Sequence, residues 1–340
     1  MKHISKEGSV RVDLVGGTLD LSPINLILPE VVTLNVATTL TAKVKVEMQP
    51  AAQVTFISKD YHSKKEFSLQ TINGPELCHK EFEQLWFLAE IVRFFSPTVG
   101  LVITTESGSP PGAGLGGSSA MGVTVFSALA DFFAKKYSPH EMVMIVKDIE
   151  AKILGCGPTG YQDYFPAIFG GILALLPQIG QVQVSQLYSE HLCQTLQRQL
   201  TLVYSGDSRL SGINNWEVYK GFFDGNVEII KGLAQIAEIS HATYQAILDK
   251  SFDQVAALIG REGEIRRGLF PNIFSPKMEV FFSQLKEMLP HAGMKVCGAG
   301  GGGCFLVVHA ADQKDAVASL LKKHDMQELE FEILPPKVAL

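Results

Sequence analysis

The chain has 340 residues, of which 46% are hydrophobic and 19% charged, a balance typical of a folded protein with one large domain or two ordinary ones. The net charge of −6 gives no reason to expect nucleic acid or an anionic membrane as a partner, so an anion site has to be built locally. The chain has no features of a secretory signal, no apolar run long enough to span a membrane, and five cysteines without CxxC spacing. We therefore expect a cytoplasmic protein with reduced thiols and no structural metal.

The first half of the chain is predicted to begin strand-rich and then become helical. Alternating or β-branched apolar segments predict four strands: 33–48, 52–58, 67–72 and 98–106. Amphipathic periodicity predicts three helices: 78–95, 123–136 and 138–154. The third of these helices begins with an N-cap at Ser138, Pro139 at its first position and Glu141 three residues after the cap.

The second half is predicted to be mainly helical, with short strands around the helices. The segment 155–176 predicts a loop, a short helix and a strand, and 214–289 has a helical pattern almost throughout. The remaining predicted strands are 180–187, 199–206, a strand–turn–strand unit over 295–310, and 328–334. Pro177 and Gly180 interrupt the pattern, so we predict two domains, residues 1–185 and 186–340.

A glycine-rich loop, PPGAGLGGSSAMG, lies between a predicted strand and a predicted helix. Its spacing Gly112-x-Gly114-x-x-Gly117 formally matches the dinucleotide fingerprint, but a helix follows where that fold needs a strand. No lysine follows the last glycine, so the loop is not a Walker motif. The free amides, ending in Ser118 and Ser119 at a helix N-terminus, can seat a phosphate. The alternative is a tight corner that needs only positive φ angles.

Three further features have both a chemical and a structural interpretation. In RVDLVGGTLDLSP, Arg11 and Asp13 can face one side of a strand and Asp20 follows the turn, or each can form a surface ion pair. Asp163 lies among aromatic and small residues, where an unpaired buried carboxylate is costly, or it caps a helix. The run GAGGGG, residues 298–303, either approaches a ligand closely or forms a bulged hairpin.

Taken together, these motifs resemble the small-molecule kinases named from galactokinase, homoserine kinase, mevalonate kinase and phosphomevalonate kinase, the GHMP kinases. The segments RVDLVGGTLD, PPGAGLGGSSA and KVCGAGGGGCF resemble the three motifs of that family in order, and GPTGYQD resembles the segment with its catalytic aspartate. Among the sugar kinases the similarity is greatest to D-glycero-D-manno-heptose 7-phosphate kinases. Those kinases usually have Lys-Gln-Asp-Gln at residues 161–164, where this chain has Tyr-Gln-Asp-Tyr, so the substrate stays open.

The resemblance implies an α+β fold of two domains, a ribosomal-protein-like N-terminal domain and a ferredoxin-like C-terminal domain, with the active site between them. It implies Asp163 and Arg11 as catalytic residues and Ser119 and Glu150 as ligands of Mg²⁺. It implies an ATP-binding loop made of Pro111, Gly112, Gly114, Leu115, Gly116, Gly117, Ser118, Ser119 and Ala120. It implies that the substrate contacts Gly17, Thr18, Asp20, Gly300 and Gly301.

The implied activity is an ATP- and Mg²⁺-dependent sugar kinase acting on a hydroxyl, with the anomeric one preferred, of a sugar or a sugar phosphate such as heptose 7-phosphate. A substrate phosphate would need a basic pocket, for which Arg209, Arg266 and Arg267 are candidates, or these are ordinary surface arginines. The alternatives are a galactokinase-like kinase of a free sugar, a mevalonate- or homoserine-type kinase, and a non-catalytic nucleotide or sugar sensor. We expect ATP and a small sugar as partners, no nucleic acid or membrane, and a monomer or homodimer.

Overall fold

The protein has an α+β fold built on two β-sheets, as predicted from the sequence. The structure, a computed structural model, describes residues 2–77, 79–155, 157–207 and 215–337. Within this part of the chain, no helix is both long and apolar enough to cross a membrane.

The first sheet has seven strands and belongs to the N-terminal half. Its strands are His3–Val15 (β1), Thr33–Gln49 (β2), Gln53–Ser58 (β3), Ser63–Ser68 (β4), Gly100–Ser107 (β5), Ile172–Gln178 (β6) and Gln181–Gln186 (β7). The order is β4-β3-β5-β2-β6-β7, with β1 paired to β2 and only the β3–β5 pair parallel. The 17-residue β2 is therefore the central strand, and it pairs with β1, β5 and β6.

The helices of this half cover the first sheet. They are Ile24–Ile27 (α1), Leu69–Ile72 (α2), His79–Phe82 (α3), Trp86–Phe94 (α4), Gly117–Phe132 (α5), Pro139–Leu154 (α6) and Phe165–Phe169 (α7). Helix α5 packs on β1 and β2 and is buried over most of its length, as expected for a helix with apolar residues on all sides. The predicted capping box at Ser138 is present.

Two predicted elements of this half were wrong in detail. The helix predicted for 78–95 is interrupted by a 3₁₀ turn, Glu83–Leu85, because Glu83 has a φ of 50° that an α-helix cannot contain. The strand predicted for 67–72 ends at Ser68, whose side chain accepts a hydrogen bond from Thr71 N–H and so caps a short helix.

The second sheet has four antiparallel strands and belongs to the C-terminal half. They are Leu200–Tyr204 (β8), Gly293–Val296 (β9), Cys304–Val308 (β10) and Gln327–Glu328 (β11), in the order β11-β8-β10-β9. The helices are Glu190–Gln199 (α8), Asn215–Phe223 (α9), Val227–Leu248 (α10), Phe252–Leu269 (α11), Pro276–Met288 (α12) and Lys314–Lys323 (α13). The sequence did not indicate α8, and of the strand predicted for 328–334 only Glu328 lies in β11, while Ile333 forms an isolated bridge.

The two halves share their cores. Leu19, Ile24 and Leu28, which follow β1, pack in the apolar cluster of the second sheet. In return, the C-terminal segment reaches the first sheet, where Ile333 forms a bridge with Thr38. A domain division at residue 185 separates the two sheets but not these exchanged segments, and it stays a prediction.

Helix α11 lies on β9 at very close range because glycine faces the strand. A Cβ added at Gly263 would lie 2.1 Å from the carbonyl oxygen of Met294, whereas one added at Gly268, in the same helix, would meet nothing within 4 Å. We predict that Gly263→Ala lowers the free energy of unfolding by about 1 to 3 kcal/mol through overpacking. Gly268→Ala should raise it by up to about 1 kcal/mol through helix propensity. Urea unfolding measures both, and equal effects of the two substitutions would contradict this packing.

Candidate active site

A cavity of about 720 Å³ opens between the two halves of the molecule. Its wall includes the end of β1, the glycine-rich loop before α5 and the segment 157–164 from the N-terminal half. From the C-terminal half it includes Arg266, Gly298 and Ala299. The segments singled out in the sequence therefore meet around one space.

The glycine-rich loop forms one wall of this cavity, as the resemblance implied. All the predicted ATP-binding residues except Ala120 line it: Pro111, Gly112, Gly114, Leu115, Gly116, Gly117, Ser118 and Ser119. Ala120 is buried in α5, where its N–H donates to Gly116. Gly116, with a φ of 70°, is the N-cap of α5, so amides of the first helical turn have no partner within the helix. This is a favourable site for phosphate.

Asp163 and Arg11 form an ion pair directly against this loop. The Nε and Nη2 atoms of Arg11 lie 2.8 and 2.7 Å from Asp163 Oδ1, and its Nη1 donates to the carbonyl of Gly114 at 2.6 Å. A Cβ added at Gly116 would lie 3.0 Å from Asp163 Cγ. The aspartate side chain is 29% exposed, whereas the arginine is buried. Arg11 thus fixes one oxygen of a carboxylate whose other oxygen stays available to a ligand.

Burial alone would lower the pKa of Arg11, but the surrounding acidic side chains, Asp163 first among them, outweigh it and raise the pKa above its ordinary value. The guanidinium therefore stays charged. Its Nε and Nη2 are paired with Asp163, and its Nη1 donates to the carbonyl of Gly114. Arg11 acts on the site by holding Asp163 and the loop in one geometry.

Asp20 also lines the cavity. It is buried and accepts a hydrogen bond from Gln162 N–H at 2.9 Å. Burial raises the pKa of Asp20 to about 6 against the opposing effect of this hydrogen bond. The nearby charges of Asp163 and Asp13 add to the increase. A carboxylate here can accept hydrogen bonds from a ligand, and the sugar-binding role that the resemblance implied stays a prediction.

The predicted metal ligands also meet. Glu150 Oε2 accepts hydrogen bonds from Ser119 Oγ at 2.8 Å and from Tyr164 Oη at 2.5 Å, and both predicted ligands line the cavity. Burial raises the pKa of Glu150, and the hydroxyl donors oppose that rise. One carboxylate and one hydroxyl beside a phosphate site fit Mg²⁺, which commonly completes its shell with phosphate oxygens and water. Among the described residues, no group of three acidic, histidine or cysteine side chains could hold a metal by itself.

The third motif supports the loop more than it lines the cavity. Cys304 N–H donates to the carbonyl of Ala113 at 2.7 Å, and a Cβ added at Gly298 would lie 2.8 Å from the carbonyl oxygen of Gly114. Gly301 N–H donates to Ile273 O, and a Cβ at Gly300 would lie 2.4 Å from that same oxygen. Gly300 is therefore needed for packing on Ile273, and the contact of Gly300 and Gly301 with substrate stays a prediction.

The other two predicted substrate residues of the first motif, Thr18 and Gly17, differ in their position relative to the cavity. Thr18 lines the cavity, with a φ of 74°. Gly17 does not, but its carbonyl accepts a hydrogen bond from Arg266 at 2.7 Å, so it positions a residue that does line the cavity.

The predicted basic pocket is not formed by the described arginines. Arg267 is exposed, forms a two-nitrogen ion pair with Glu279 at 2.6 to 3.0 Å, and is not among the cavity-lining residues, so its contact with substrate stays a prediction. Arg266 is buried in the cavity wall. The third candidate, Arg209, lies outside the described residues.

Sequence reasoning missed two buried ionic residues behind this wall, Lys295 and Glu262. The available signal was a charged residue inside the apolar strand β9, at Lys295, and an acid four residues before Arg266 on a predicted helix.

Residues 83–171, which contain the glycine-rich loop and Asp163, match the family model for the GHMP kinases N terminal domain. Over this segment the chain is similar to the GHMP kinases. It is 26% identical over 342 residues to a bifunctional fucokinase/GDP-fucose pyrophosphorylase from Arabidopsis thaliana, with 95% of this chain covered but only 31% of that longer protein. It is 23% identical to a D-glycero-alpha-D-manno-heptose 7-phosphate kinase from Campylobacter jejuni, with 97% of both chains covered.

A solved structure, that of a D-glycero-D-manno-heptose 1-phosphate kinase from Bacteroides thetaiotaomicron, superimposes with a TM-score of 0.76 at 20% identity. The match covers 98% of this chain and 96% of that chain, which confirms the predicted fold.

Because the pKa of Asp20 is raised, we predict that the free energy of unfolding of this protein depends on pH. Between about pH 4 and 6 the folded state keeps a proton that the unfolded state has lost, so the free energy of unfolding falls as the pH rises through this range. Above pH 6 the ionised carboxylate costs up to about 3 kcal/mol. Asp20→Asn should therefore raise the melting temperature at pH 8 and change it little at pH 4. Asp148→Asn, an exposed substitution, is the control, and an equal effect of Asp20→Asn at both pH values would contradict the assignment.

Proposed function

We propose that this chain is an ATP- and Mg²⁺-dependent kinase that transfers the γ-phosphoryl group of ATP to a hydroxyl of a sugar. The observation that carries the proposal is the contact between the Asp163 carboxylate, held by Arg11, and the glycine loop at the N-terminus of α5. The names of the Arabidopsis and Campylobacter relatives support a sugar as the acceptor. The choice of the anomeric hydroxyl follows only the resemblance to galactokinase-like sugar kinases.

Phosphoryl transfer requires alignment of the acceptor with the phosphorus and stabilisation of the charge on the phosphoryl oxygens. The amides of residues 112–119 would hold the phosphates of ATP, with the positive end of the α5 dipole behind them. Mg²⁺, when bound, would supply neutralisation of phosphate charge, and Ser119 and Glu150 would hold it together with phosphate oxygens.

Asp163 would orient the acceptor and take its proton. Its Oδ1 accepts both hydrogen bonds from Arg11, which leaves Oδ2 to accept the hydrogen bond from the attacking sugar hydroxyl. The sugar oxygen then forms a bond to the γ-phosphorus as the bond to the β-phosphate oxygen breaks, ADP leaves, and the hydroxyl proton passes to the carboxylate. Asp20 would fix the sugar by accepting hydrogen bonds from further hydroxyls.

The family also contains kinases of non-sugar alcohols, and the fold alone could serve a non-catalytic sensor. A sensor would not need an Arg11–Asp163 pair beside the glycine-rich loop. The presence of this pair therefore favours a catalytic function over a sensor. The cytoplasmic location and the monomeric or homodimeric state stay predictions.

We predict that Asp163→Asn lowers kcat by about 10² to 10⁴-fold, because the amide cannot accept the hydroxyl proton. The Kd for ATP should stay within about threefold, since the loop amides that bind phosphate are unchanged. Initial rates from ADP release and calorimetric titration with ATP measure the two quantities. Asp148→Asn is the matched control on the protein surface, and kcat unchanged in the Asp163 variant would leave a sensor as the better interpretation.

We predict that Glu150→Gln raises the Mg²⁺ concentration for half-maximal activity by about tenfold, because a neutral amide is a weaker ligand for a hard cation. The amide can still accept the hydrogen bonds from Ser119 and Tyr164, so the melting temperature should change little. An unchanged Mg²⁺ dependence would assign Glu150 a purely structural role beneath the loop.

A further inference from the structure

Four ionic side chains are buried together behind the substrate end of the cavity. Lys295 Nζ lies 2.7 Å from Asp13 Oδ2 and 3.6 Å from Glu262 Oε2, and Arg266 Nη1 lies 3.7 Å from Glu262 Oε1. None of the four side chains is more than 2% exposed. Such a cluster is costly to desolvate, so every atom in it should have a partner in the functional state.

Asp13 is the acidic member of this cluster that lines the cavity, and like Arg266, whose Nε is unpartnered, it has one buried polar atom without a hydrogen-bond partner among the described residues. Its Oδ2 is held by Lys295, whereas its Oδ1 is buried and has no hydrogen-bond partner among the described residues. An unpaired buried carboxylate oxygen costs about 1 to 3 kcal/mol unless a donor reaches it. Since Asp13 lines the cavity, a ligand bound there can supply that donor.

We propose that Asp13, positioned by Lys295, is a second sugar-binding carboxylate beside Asp20, and that the two acceptors select an unphosphorylated sugar. This inference rests on the proposed function and names its substrate class. Asp13, Asp20 and Asp163 lie close enough around Arg11 for all three charges to act on it. Sugar hydroxyls donate hydrogen bonds to such acceptors, and the free Oδ1 of Asp13 gains the partner that the fold does not give it.

A phosphate on the substrate is disfavoured by the same arrangement. A phosphate monoester carries about −1.5 to −2 charges at neutral pH and offers only acceptor oxygens. Of the two cations in the described cavity wall, Arg11 is fully engaged, whereas Arg266 keeps one buried nitrogen, Nε, without a hydrogen-bond partner. Arg11 is used by Asp163 and Gly114, and the terminal nitrogens of Arg266 donate to the carbonyls of Gly17 and Gly298 at 2.7 and 3.4 Å. A phosphate would therefore meet two buried carboxylates and, from the described cavity-lining cations, at most the single Nε donor of Arg266.

The first test uses the unmodified protein and two parallel sets of acceptors. One set contains free hexoses, 6-deoxyhexoses and heptoses, and the other contains hexose 6-phosphates and heptose 7-phosphate. ADP release and transfer of labelled γ-phosphate are measured with ATP and Mg²⁺. We expect transfer to at least one free sugar, with kcat/KM at least about tenfold above that of its phosphorylated form, since each charge-assisted hydrogen bond contributes about 1.5 to 3 kcal/mol.

The outcomes of this test separate the two proposals. Transfer to phosphorylated sugars alone would overturn the inference while leaving the sugar-kinase function intact, and it would point to a basic group such as Arg209. If no sugar of either set accepts phosphate, the proposed function itself fails and the inference falls with it.

The second test asks whether Asp13 contacts the sugar or only neutralises Lys295. It compares Asp13→Ala, Lys295→Met and the double variant for the KM of the sugar, the KM of ATP and the melting temperature. We expect Asp13→Ala to raise the sugar KM at least about tenfold with the KM of ATP nearly unchanged. The double variant removes both buried charges and should recover stability, because an apolar pair can replace a buried ion pair.

In the double variant the sugar KM should stay as high as in Asp13→Ala. Recovery of the wild-type sugar KM in the double variant would show that Asp13 serves only as the counter-ion of Lys295, and it would overturn the assignment. A folded Asp13→Ala protein with unchanged sugar KM would do the same. If Asp13→Ala does not fold, the double variant still decides the question.

Discussion

The arrangement of this site depends on one buried arginine that holds a carboxylate against the glycine-rich loop. Arg11 comes from β1, Asp163 from the loop before α7, and Gly114 from the turn before α5, so three distant segments meet at one guanidinium. Because the arginine is buried and uses several nitrogens, its geometry is far more restricted than that of a surface ion pair. The glycine at position 116 then allows the carboxylate to approach the first turn of α5.

The fold keeps this geometry by exchanging segments between its halves. The residues after β1 pack in the C-terminal core, and the C-terminal segment returns to β2. The third motif places its backbone against the glycine loop, with Cys304 N–H bound to Ala113. The cavity walls are therefore held by both sheets, which favours a rigid site over two loosely connected domains.

Much of this was predictable from the sequence where the signal is local. The capping box at Ser138, the glycine loop between strand and helix, and the position of Arg11 and Asp13 on one strand all follow from short-range patterns, and the structure confirms them. The sequence is less informative where the surroundings of a residue depend on a distant neighbour. Gly300 and Gly301 were assigned to substrate because glycines permit close approach, but what approaches them is the carbonyl of Ile273. Similarly, nothing local distinguishes Arg266, which reaches the cavity, from Arg267, which pairs with Glu279 on the surface.

The most direct measurement of the central claim is a crystal structure with a non-hydrolysable ATP analogue, Mg²⁺ and an accepted sugar. The account predicts that the amides of residues 112–119 bind the phosphates and that the acceptor oxygen lies between Asp163 Oδ2 and the terminal phosphorus, about 3 to 3.5 Å from the phosphorus. A terminal phosphate bound away from Asp163, or a nucleotide seated outside the glycine loop, would contradict it.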